Sequence, residues 1–458
     1  SFLAIISTEF VQFFVLTFFL VLISFFPNII IKTICIIIVV ANAAALYFMT
    51  EYGVILDQTM IGNILNTNFQ EATELLDIAI LPYILLLGIA PAIVIWNIKI
   101  IKPKLRSKIE YLFASLIFFM ISIYAFASTW IWYDCYISSI SDRVLPWAYI
   151  IHLGDKLHSN IFPKQEPVSL PHAIFLSEPV RKQVVVLVIG ESVRADHLAH
   201  YGYLKDTNPY TKNLNLIVFK EGLSCATNTI SSTACLLSYE GSQVSKGVNS
   251  DPIQSYLTEH NITTILRSNN DGLPDLKTTK SEDALSIFHA CKDKDCPATK
   301  DESLNWKLDE VIKKSTASRV FITLHQKGSH GPAYWKRYPH EFEYFTPVCR
   351  TSYVKACSSE MINNAYDNSL RYTDKLLANI IAQLNSLADV DSVMFYVSDH
   401  GESLGEGGFF FHAAPNVIAP KEQFNIPFLV WLSSGFKQAH GLEGKAIITQ
   451  QTFPHDFV

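Results

Sequence analysis

The stretch Gln183-Val-Val-Val-Leu-Val-Ile-Gly-Glu-Ser192 holds six consecutive apolar residues, followed at once by a Gly-Glu-Ser turn. The run is too short for a helix of useful length, so it predicts a fully buried parallel strand. Similar short runs recur at residues 263–266, 320–324, 393–397 and 428–431. The clearest helical pattern between these runs spans Met361 to Leu387. Strands that alternate with helices predict a mostly parallel sheet, which binds ligands beyond the carboxyl ends of its strands.

Side chains that can bind a metal follow three of these predicted strands. They lie in Gly190-Glu191-Ser192, His325-Gln-Lys-Gly-Ser-His330 and Ser398-Asp399-His400-Gly401-Glu402. A single glutamate at a strand end is usually a helix cap, and a single histidine is usually a hydrogen-bonded structural residue. Carboxylates and imidazoles together at one sheet edge are what a zinc site needs. Their joint occurrence therefore favours a metal site over coincidence.

A hydroxyl-rich segment between two cysteines, Ser224-Cys-Ala-Thr-Asn-Thr-Ile-Ser-Ser-Thr-Ala-Cys235, offers a nucleophile. A hydroxyl becomes nucleophilic when a metal or an adjacent base activates it. The alternative is a capping turn rich in Ser and Thr, and composition alone does not choose among the hydroxyls. The candidates are Thr227, Thr229, Ser231, Ser232 and Thr233. Leu236 and Leu237 fit a helix behind the segment, whose N-terminus would favour an anionic phosphate.

Four apolar stretches precede this α/β pattern, and each is long enough to cross a membrane, which takes ~20 helical residues. They run from Phe10 to Phe26, Ile29 to Phe48, Ile78 to Trp96 and Tyr111 to Trp132. The alternative is a set of buried helices in a large soluble core. The near-absence of charge inside all four stretches favours membrane spans.

The loop between the third and fourth stretches sets the predicted topology. Its basic residues are Lys99, Lys102, Lys104, Arg106 and Lys108. Such a basic loop normally stays cytoplasmic, so residues 49–77 and everything after Trp132 are expected outside the membrane. The same count leaves Ser1 outside, which suggests that another span precedes it. Residues 57–77 have apolar side chains at helical intervals and predict an amphipathic helix pair at the outer membrane boundary, or alternatively a loop packed on the soluble domain.

The sequence therefore predicts three regions. Residues 1–135 form a transmembrane domain with an external amphipathic segment at about 54–77, residues 136–180 form a bridging linker, and residues 181–458 form an external catalytic α/β domain. The formal charge of −6 provides no basic surface for a phosphate backbone, so no nucleic-acid partner is expected.

The cysteines agree with an external, oxidising location for the second half of the chain. Six of them form three closely spaced pairs in that half: Cys225 and Cys235, Cys291 and Cys296, and Cys349 and Cys357. A zinc cluster is the alternative, but the spacings lack the Cys-x-x-Cys pattern of structural zinc sites. The pairs therefore predict disulfides.

Long, ordered motifs carry a family resemblance over nearly the whole chain. They are Gly190-Glu-Ser-Val-Arg-Ala-Asp-His197, Cys225-Ala-Thr-Asn-Thr229, His325-Gln-Lys-Gly-Ser-His-Gly-Pro-Ala-Tyr-Trp-Lys-Arg-Tyr338, Thr346-Pro-Val-Cys349, Asn364-Ala-Tyr-Asp-Asn368 and Ser398-Asp-His-Gly-Glu-Ser-Leu-Gly-Glu406. In these motifs the chain resembles the phosphoethanolamine transferases of the lipid A and colistin-resistance type, within the alkaline phosphatase superfamily. The resemblance implies a multi-span helical membrane domain joined to an alkaline phosphatase-like α/β domain with a mostly parallel sheet.

The resemblance also implies roles for individual residues. Zinc would be held by Glu191, Asp399, His400 and Thr229, with Thr229 also the nucleophile. His330 and His412 would contact the transferred phosphate or a second metal ion, and would serve the leaving or incoming oxygen. Asn270 matches the start of a family substrate loop that is shorter here, and would contact the substrate. One zinc ion is expected, and a second is possible in this family.

The implied function is transfer of phosphoethanolamine from phosphatidylethanolamine to lipid A or a related envelope glycan, through a phospho-threonine intermediate, with polymyxin resistance as a consequence. The implied location is the bacterial inner membrane, with the catalytic domain in the periplasm. A phosphoglycerol transferase or phosphodiesterase of the same superfamily would share the metal and threonine chemistry. A sulfatase would need a Cys-x-Pro-Ser-Arg setting, which the sequence lacks. A catalytically silent membrane sensor or scaffold is the alternative outside enzymes, and the intact set of four ligands argues against it.

Overall fold

The computed structural model describes residues 2–67, 69–125, 141–161, 170–175, 177–246, 250–292, 296–444, 449 and 452–457. The chain forms two compact units. The smaller unit comprises residues 1–51, 55–57 and 78–155, and the larger unit comprises residues 52–54, 58–77 and 156–458. The larger unit therefore includes a segment that lies, in sequence, between two apolar helices of the smaller one.

The α-helices are numbered in chain order. They are α1 (Phe2–Ile23), α2 (Asn28–Tyr52), α3 (Gln58–Asn66), α4 (Phe69–Glu74), α5 (Ile78–Asn97), α6 (Leu105–Ala125), α7 (Trp147–Ile161), α8 (Thr229–Leu237), α9 (Ile253–Glu259), α10 (Ala284–Ala290), α11 (Leu308–Lys314), α12 (Ser359–Asn385) and α13 (Ser434–Ala439). Short 3₁₀ turns link many of them.

Two helices of the described residues, α2 and α5, are long and apolar enough to cross a membrane. The apolar stretch Glu9–Ile23 within α1 is shorter. The predicted fourth span begins inside α6, and its part from residue 126 onward lies outside the described residues. The predicted linker contains the 15-residue helix α7, which the prolines of this region had masked in the sequence.

The strands of the larger unit are β1 (Lys182–Gly190), β2 (Ile217–Leu223), β3 (Thr263–Ser268), β4 (Lys280–Asp283), β5 (Arg319–His325), β6 (Val390–Ser398), β7 (Ser403–Leu404), β8 (Phe410–Phe411), β9 (Asn425–Leu432) and β10 (Thr452–Pro454). Eight of them form one sheet in the order β10-β2-β9-β6-β1-β5-β3-β4. From β6 to β4 all neighbours are parallel, whereas β9 is antiparallel to both β6 and β2.

The central strand β1 packs on both of its faces, as its apolar run predicts. Val184, Val186 and Val188 face a core layer that includes the C-terminal half of α12. Leu187 and Ile189 face the opposite layer, which includes the end of α8. Because successive strand residues point to opposite faces, an unbroken apolar run indicates burial on both sides. The five predicted strands are all present, and the sheet is mostly parallel as predicted.

Five further strands had no strong signal in the sequence. β4 has the sequence Lys-Ser-Glu-Asp and lies at one edge of the sheet, and the three-residue β10 lies at the other edge. Edge strands are exposed on one side, so they need no continuous apolar run. β2 contains polar residues and a register shift between Phe219 and Gly222, which breaks its pattern.

Candidate active site

Four parallel strands end level with one another at the sheet edge where the site lies. Gly190 at the end of β1 pairs with Ser398 at the end of β6. On the other side of β1, Ile189 pairs with His325, and His325 in turn pairs with Ser268 at the end of β3. The residues that follow these ends therefore meet at one edge, because the carboxyl ends of parallel strands point the same way.

Within the hydroxyl-rich segment, Thr229 has a hydroxyl that contacts the residues after these strand ends. Its Oγ1 lies 3.2 Å from Glu191 Oε2 and 3.3 Å from His400 Nε2. Thr229 is the first residue of α8, and the preceding Asn228 accepts a hydrogen bond of 3.0 Å from the backbone N–H of Ser231. The start of a helix favours an anionic group, so the helix predicted behind the nucleophile is in the expected position.

The other hydroxyls of this segment have different surroundings. Three of them donate hydrogen bonds to backbone oxygens: Thr227 to Ala414 at 2.6 Å, Ser232 to Asn228 at 2.7 Å, and Thr233 to Gly272 at 2.7 Å. Thr227, Ser232 and Thr233 are buried, whereas Thr229 is partly exposed. The geometry therefore separates Thr229 from Thr227, Ser232 and Thr233, which composition could not exclude.

His400 Nε2 lies at the spacing of zinc ligands from atoms of Glu191, Thr229 and Asp399, and Thr229 Oγ1 lies at that spacing from Glu191. Besides the two contacts of Thr229, His400 Nε2 lies 3.2 Å from Asp399 Oδ2 and 3.4 Å from Glu191 Oε1. Ligand atoms bound ~2.0 Å from a tetrahedral zinc ion are about 3.3 Å apart. Asp399 Oδ2 is buried and accepts no hydrogen bond from any residue that the structure describes. These contacts and the burial of Asp399 are compatible with one zinc ion held by the four residues.

The pKa values of the two buried carboxyl groups, Glu191 and Asp399, support a cation between them. Burial alone would raise the pKa of Glu191, but the charges of His400, His330 and His412 hold it well below its usual range. Burial and the nearby charge of Glu191 raise the pKa of Asp399 well above its usual range. Two buried like charges oppose one another, and a divalent cation between them would allow both to stay ionised.

The two remaining predicted histidines lie beside this cluster. The rings of His400 and His412 are 4.4 Å apart, and the rings of His412 and His330 are 5.1 Å apart, measured between centroids. Ligand atoms of Glu191, His400 and His412 all lie within 4.8 Å of one another. His330 Nδ1 contacts the carbonyl oxygen of Gly331 at 2.7 Å, which favours the tautomer with hydrogen on Nδ1.

Asn270 contacts the cluster directly. Its Nδ2 donates to Glu191 Oε2 at 2.7 Å, and its Oδ1 accepts from Lys327 Nζ at 3.0 Å. The structure therefore brings together every site residue that the sequence predicted. Their roles as ligand, nucleophile or substrate contact stay predictions.

Glu402 lies in a stretch that the sequence analysis singled out, but it was given no role there. It is fully buried, and burial raises its pKa to about 7. Its carboxyl group lies 2.8 Å from His412 Nδ1 and accepts a hydrogen bond of 2.7 Å from the Tyr334 hydroxyl. Glu402 therefore orients the His412 ring. Its position two residues after His400 was the available signal, because both residues follow the same strand end.

Backbone strain is concentrated beside the site. Ser192, Phe411 and Ala413 have positive φ angles of 59°, 68° and 65° although none of them is glycine. Ser192 follows Glu191, and the other two flank His412. Such conformations cost on the order of 1–3 kcal/mol each and persist only where the surrounding structure enforces them. The surrounding structure therefore enforces the backbone conformation next to two site residues, Glu191 and His412.

The three predicted disulfides are confirmed. The bonds join Cys225 to Cys235, Cys291 to Cys296, and Cys349 to Cys357. The first bond brackets the segment that carries Thr229. It links the turn before α8 to the last turn of that helix, and therefore restrains the backbone on both sides of the hydroxyl.

Two family models match the chain, one in each half. The model described as "Phosphoethanolamine transferase EptA/EptB" matches residues 13–161, and the model described as "Sulfatase" matches residues 183–458. The second match covers the α/β region that contains the site.

Proteins of known name are similar to this chain over most of its length. The phosphoethanolamine transferase EptA of Helicobacter pylori is 35% identical over 404 residues, which cover 88% of this chain and 76% of that protein. The phosphatidylethanolamine transferase Mcr-1 of Escherichia coli is 32% identical over 425 residues, which cover 88% of this chain and 78% of that protein.

A solved structure is similar to this chain in both of its halves. It is the integral membrane protein lipooligosaccharide phosphoethanolamine transferase A of Neisseria meningitidis, with a TM-score of 0.84 at 26% identity, and the match covers 98% of this chain and 85% of that chain. The predicted fold class is therefore confirmed: a multi-span helical membrane domain and an alkaline phosphatase-like α/β domain with a mostly parallel sheet.

Proposed function

The chain belongs to the phosphoethanolamine transferase family, and on that premise we propose that it transfers phosphoethanolamine from phosphatidylethanolamine to lipid A or a related envelope glycan. The observation that carries the proposal is the position of the Thr229 hydroxyl. It lies at the start of α8, within 3.3 Å of both Glu191 and His400. A hydroxyl so placed is suited to attack a phosphorus atom and to carry the phosphoethanolamine group temporarily.

Zinc is the proposed cofactor, held by Glu191, Asp399, His400 and Thr229. When bound, the ion would supply positive charge that lowers the pKa of the threonine hydroxyl and offsets the negative charge of the transferred phosphate. The spacing of the four ligand atoms and the opposed charges of the two buried carboxylates support one ion. One ion is the proposal, and His330, His412 and Glu402 lie beside it.

The first half-reaction is a displacement at phosphorus. A histidine of the pair His330 and His412 accepts the proton of the Thr229 hydroxyl, and Thr229 Oγ1 forms a bond to the phosphorus of phosphatidylethanolamine. The bond from phosphorus to the glyceryl oxygen breaks at the same time, and diacylglycerol leaves with the proton that the histidine pair passes on. His330 or His412 donates a proton to the departing oxygen. Asn270 holds Glu191 in place and contacts the phosphoethanolamine group, and Glu402 keeps the His412 ring oriented.

The second half-reaction returns Thr229 to its starting state. A phosphate or sugar hydroxyl of the acceptor attacks the phosphorus of the threonine adduct, and the same histidines accept its proton and restore the threonine hydroxyl. Relatives named for phosphatidylethanolamine and for lipooligosaccharide support this donor and the lipid A class of acceptor. Modified lipid A would carry less negative charge, so polymyxin resistance is part of the proposal.

The proposed location is the bacterial inner membrane, with the catalytic domain in the periplasm. The apolar helices α2 and α5 support membrane insertion, and three disulfides support an oxidising compartment for the α/β domain. Both substrates are lipids, so a catalytic domain tethered to the membrane would meet them at high effective concentration.

The decisive experiment is to trap the threonine adduct. Purified full-length protein is incubated with labelled phosphatidylethanolamine without acceptor, digested, and analysed by mass spectrometry. We expect phosphoethanolamine on the peptide that contains Thr229. Thr229→Ala should lose both the adduct and transfer, whereas Ser231→Ala, on the same turn, should keep both. Transfer by Thr229→Ala would shift the nucleophile to Thr227 or Ser231.

The acceptor is identified by offering lipid A, lipopolysaccharide core sugar and periplasmic glucan separately to the labelled enzyme. We expect label to move to lipid A. Release of free ethanolamine phosphate alone would instead favour a hydrolase, such as a phosphodiesterase of the same superfamily.

A further inference from the structure

The segment of residues 58–77 joins α2 to α5 in the sequence but belongs to the compact unit that carries the site. Several contacts attach it there. Thr351 Oγ1 donates to Asp77 Oδ2 at 2.8 Å, and the Ser352 hydroxyl donates to the backbone oxygen of Glu74. The helix pair predicted for these residues is present as α3 and α4, and it packs on the catalytic unit, as the alternative interpretation proposed. A place at the membrane boundary stays a prediction.

Glu74 at the end of α4 forms a buried ion pair with Arg337. Only 6% of Glu74 and 8% of Arg337 is exposed, and Arg337 Nη2 donates to Glu74 Oε2. Burying two charges costs solvation energy, and an apolar pair of similar volume would often stabilise a fold equally well. A buried pair is therefore weak support for stability, and a role in fixing local geometry is the better explanation here.

Another nitrogen of the same guanidinium group reaches the site. Arg337 Nε donates to the backbone oxygen of His330 at 2.7 Å, while His330 Nδ1 contacts the oxygen of Gly331 at 2.7 Å. A guanidinium group is planar and rigid, so a contact that fixes Nη2 also fixes the direction in which Nε donates. Glu74 is therefore one of the groups that orient the Arg337 side chain, which holds the His330 backbone.

We propose that Glu74 is a positioning residue for proton transfer by His330, acting through Arg337. The inference rests on the proposed function. In the first half-reaction the bond between phosphorus and the glyceryl oxygen breaks as the bond to Thr229 forms, and His330 gives its proton to the glyceryl oxygen. A segment between two membrane helices thereby controls the acid that releases diacylglycerol.

The test compares two phosphoethanolamine donors: one whose leaving group must be protonated by a general acid, and one whose leaving group departs without a proton. Glu74→Gln keeps the shape of the side chain and removes its charge. Adduct formation on Thr229 is timed with phosphatidylethanolamine and with a 4-nitrophenyl ester of phosphoethanolamine, whose phenolate departs without a proton. We expect adduct formation to slow about tenfold or more with the lipid, since small displacements of a catalytic group have such effects. The rate with the aryl ester should change less than about twofold.

Two further variants separate positioning from general damage. Thr351→Val removes a contact of the same segment that does not involve Arg337, and it should leave both rates unchanged. Arg337→Lys keeps the positive charge but loses the planar group, and it should slow the lipid donor selectively, like Glu74→Gln. If Glu74→Gln fails to fold, Arg337→Lys tests whether the contact through Arg337 positions His330.

Equal slowing with both donors, or no slowing with either, would overturn the role of Glu74. Failure of the wild-type protein to form an adduct with either donor would instead count against the proposed function itself. The two failures are therefore distinguishable in the same experiment.

Discussion

At the scale of single residues, the site depends on charges that the fold places where water cannot screen them. Glu191, Asp399 and His400 are each fully buried, and the two carboxylates oppose one another electrostatically. A fold tolerates such an arrangement when a cation compensates it. Asp399 is the informative residue of the three, because burial and the nearby Glu191 carboxylate raise its pKa well above the usual range.

Asp399→Asn should therefore weaken zinc binding and relieve the repulsion in the metal-free protein. We expect zinc affinity to fall by more than the roughly 100-fold that loss of an outer partner of a ligand costs. The metal-free variant should unfold at a higher temperature than the metal-free wild type. Metal titration and thermal unfolding measure the two effects. Asp309→Asn, which alters an exposed ion pair with Lys313, serves as the control.

A second charged cluster lies after Glu191 in the sequence and predicts a dependence of stability on pH. Arg194 pairs with Asp196 at 2.7 Å and with Glu406 at 2.6 Å. Burial alone would raise the pKa of both carboxyl groups, but the hydrogen bonds and charge of Arg194 lower it below the usual range. Groups with lowered pKa stabilise the fold above their unfolded pKa of about 4 and lose this effect as pH falls further.

Asp196→Asn should therefore destabilise the protein at neutral pH and have a diminishing effect below about pH 4. Urea unfolding of metal-free wild type and variant, at a series of pH values, measures the difference between their free energies of unfolding. A difference that stays constant down to the acid limit would contradict the assignment of the lowered pKa to this carboxyl group.

At the scale of elements, the site is assembled from strand ends and one helix start. The ends of β6, β1, β5 and β3 are level, so short polar segments after them converge without long loops. The helix α8 brings Thr229 to the same place from a different part of the chain. Its start is fixed by the Asn228 cap and by the disulfide between Cys225 and Cys235.

Asn228→Ala removes the cap of α8 and should affect both stability and rate. Loss of such a cap costs about 1 kcal/mol of stability. The transfer rate should also fall, because the first residue of this helix is the proposed nucleophile. Ser358→Ala is the matched control, since Ser358 caps α12 through the backbone N–H of Met361. It should cost similar stability and leave the rate unchanged, as measured by urea unfolding and adduct formation.

At the scale of the whole molecule, the order of the chain and its compact units do not coincide. Residues 58–77 lie between α2 and α5 in the sequence, yet they form part of the unit that contains the sheet. The apolar residues of this segment differ in how much of each side chain is exposed. Ile61 is buried, whereas Ile64, Leu65 and Leu76 are more than half exposed. The segment therefore has one side packed on the catalytic unit and apolar side chains remaining at the surface.

Removal of zinc should lower the stability of the catalytic unit as a whole. A ligand present at 1,000 times its dissociation constant stabilises the folded state by about 4 kcal/mol, which in a unit of this size corresponds to a Tm change on the order of 10 °C. Chelation should therefore lower Tm and abolish transfer, and added zinc should restore both. An unchanged Tm after verified removal of the metal would contradict the proposed site.

The amino-acid sequence by itself determined the buried strands of the sheet, the disulfides and the identity of the candidate site. Apolar runs such as residues 184–189 indicate burial on both faces, and closely spaced cysteines restrict their own pairing. Motifs of several consecutive residues carry the family resemblance directly. These features are local, so they can be recognised without knowing which distant residues come into contact.

The tertiary structure alone decided the selection of Thr229 by geometry, the placement of Glu402 against His412, and the ion pair of Glu74 with Arg337. Each of these depends on contacts between segments that are distant in sequence or on the direction in which a side chain points. The edge strands β4 and β10 were also missed, because strands with one exposed edge need no apolar pattern. Packing between distant segments determines such contacts, so they cannot be predicted from a local pattern of residues.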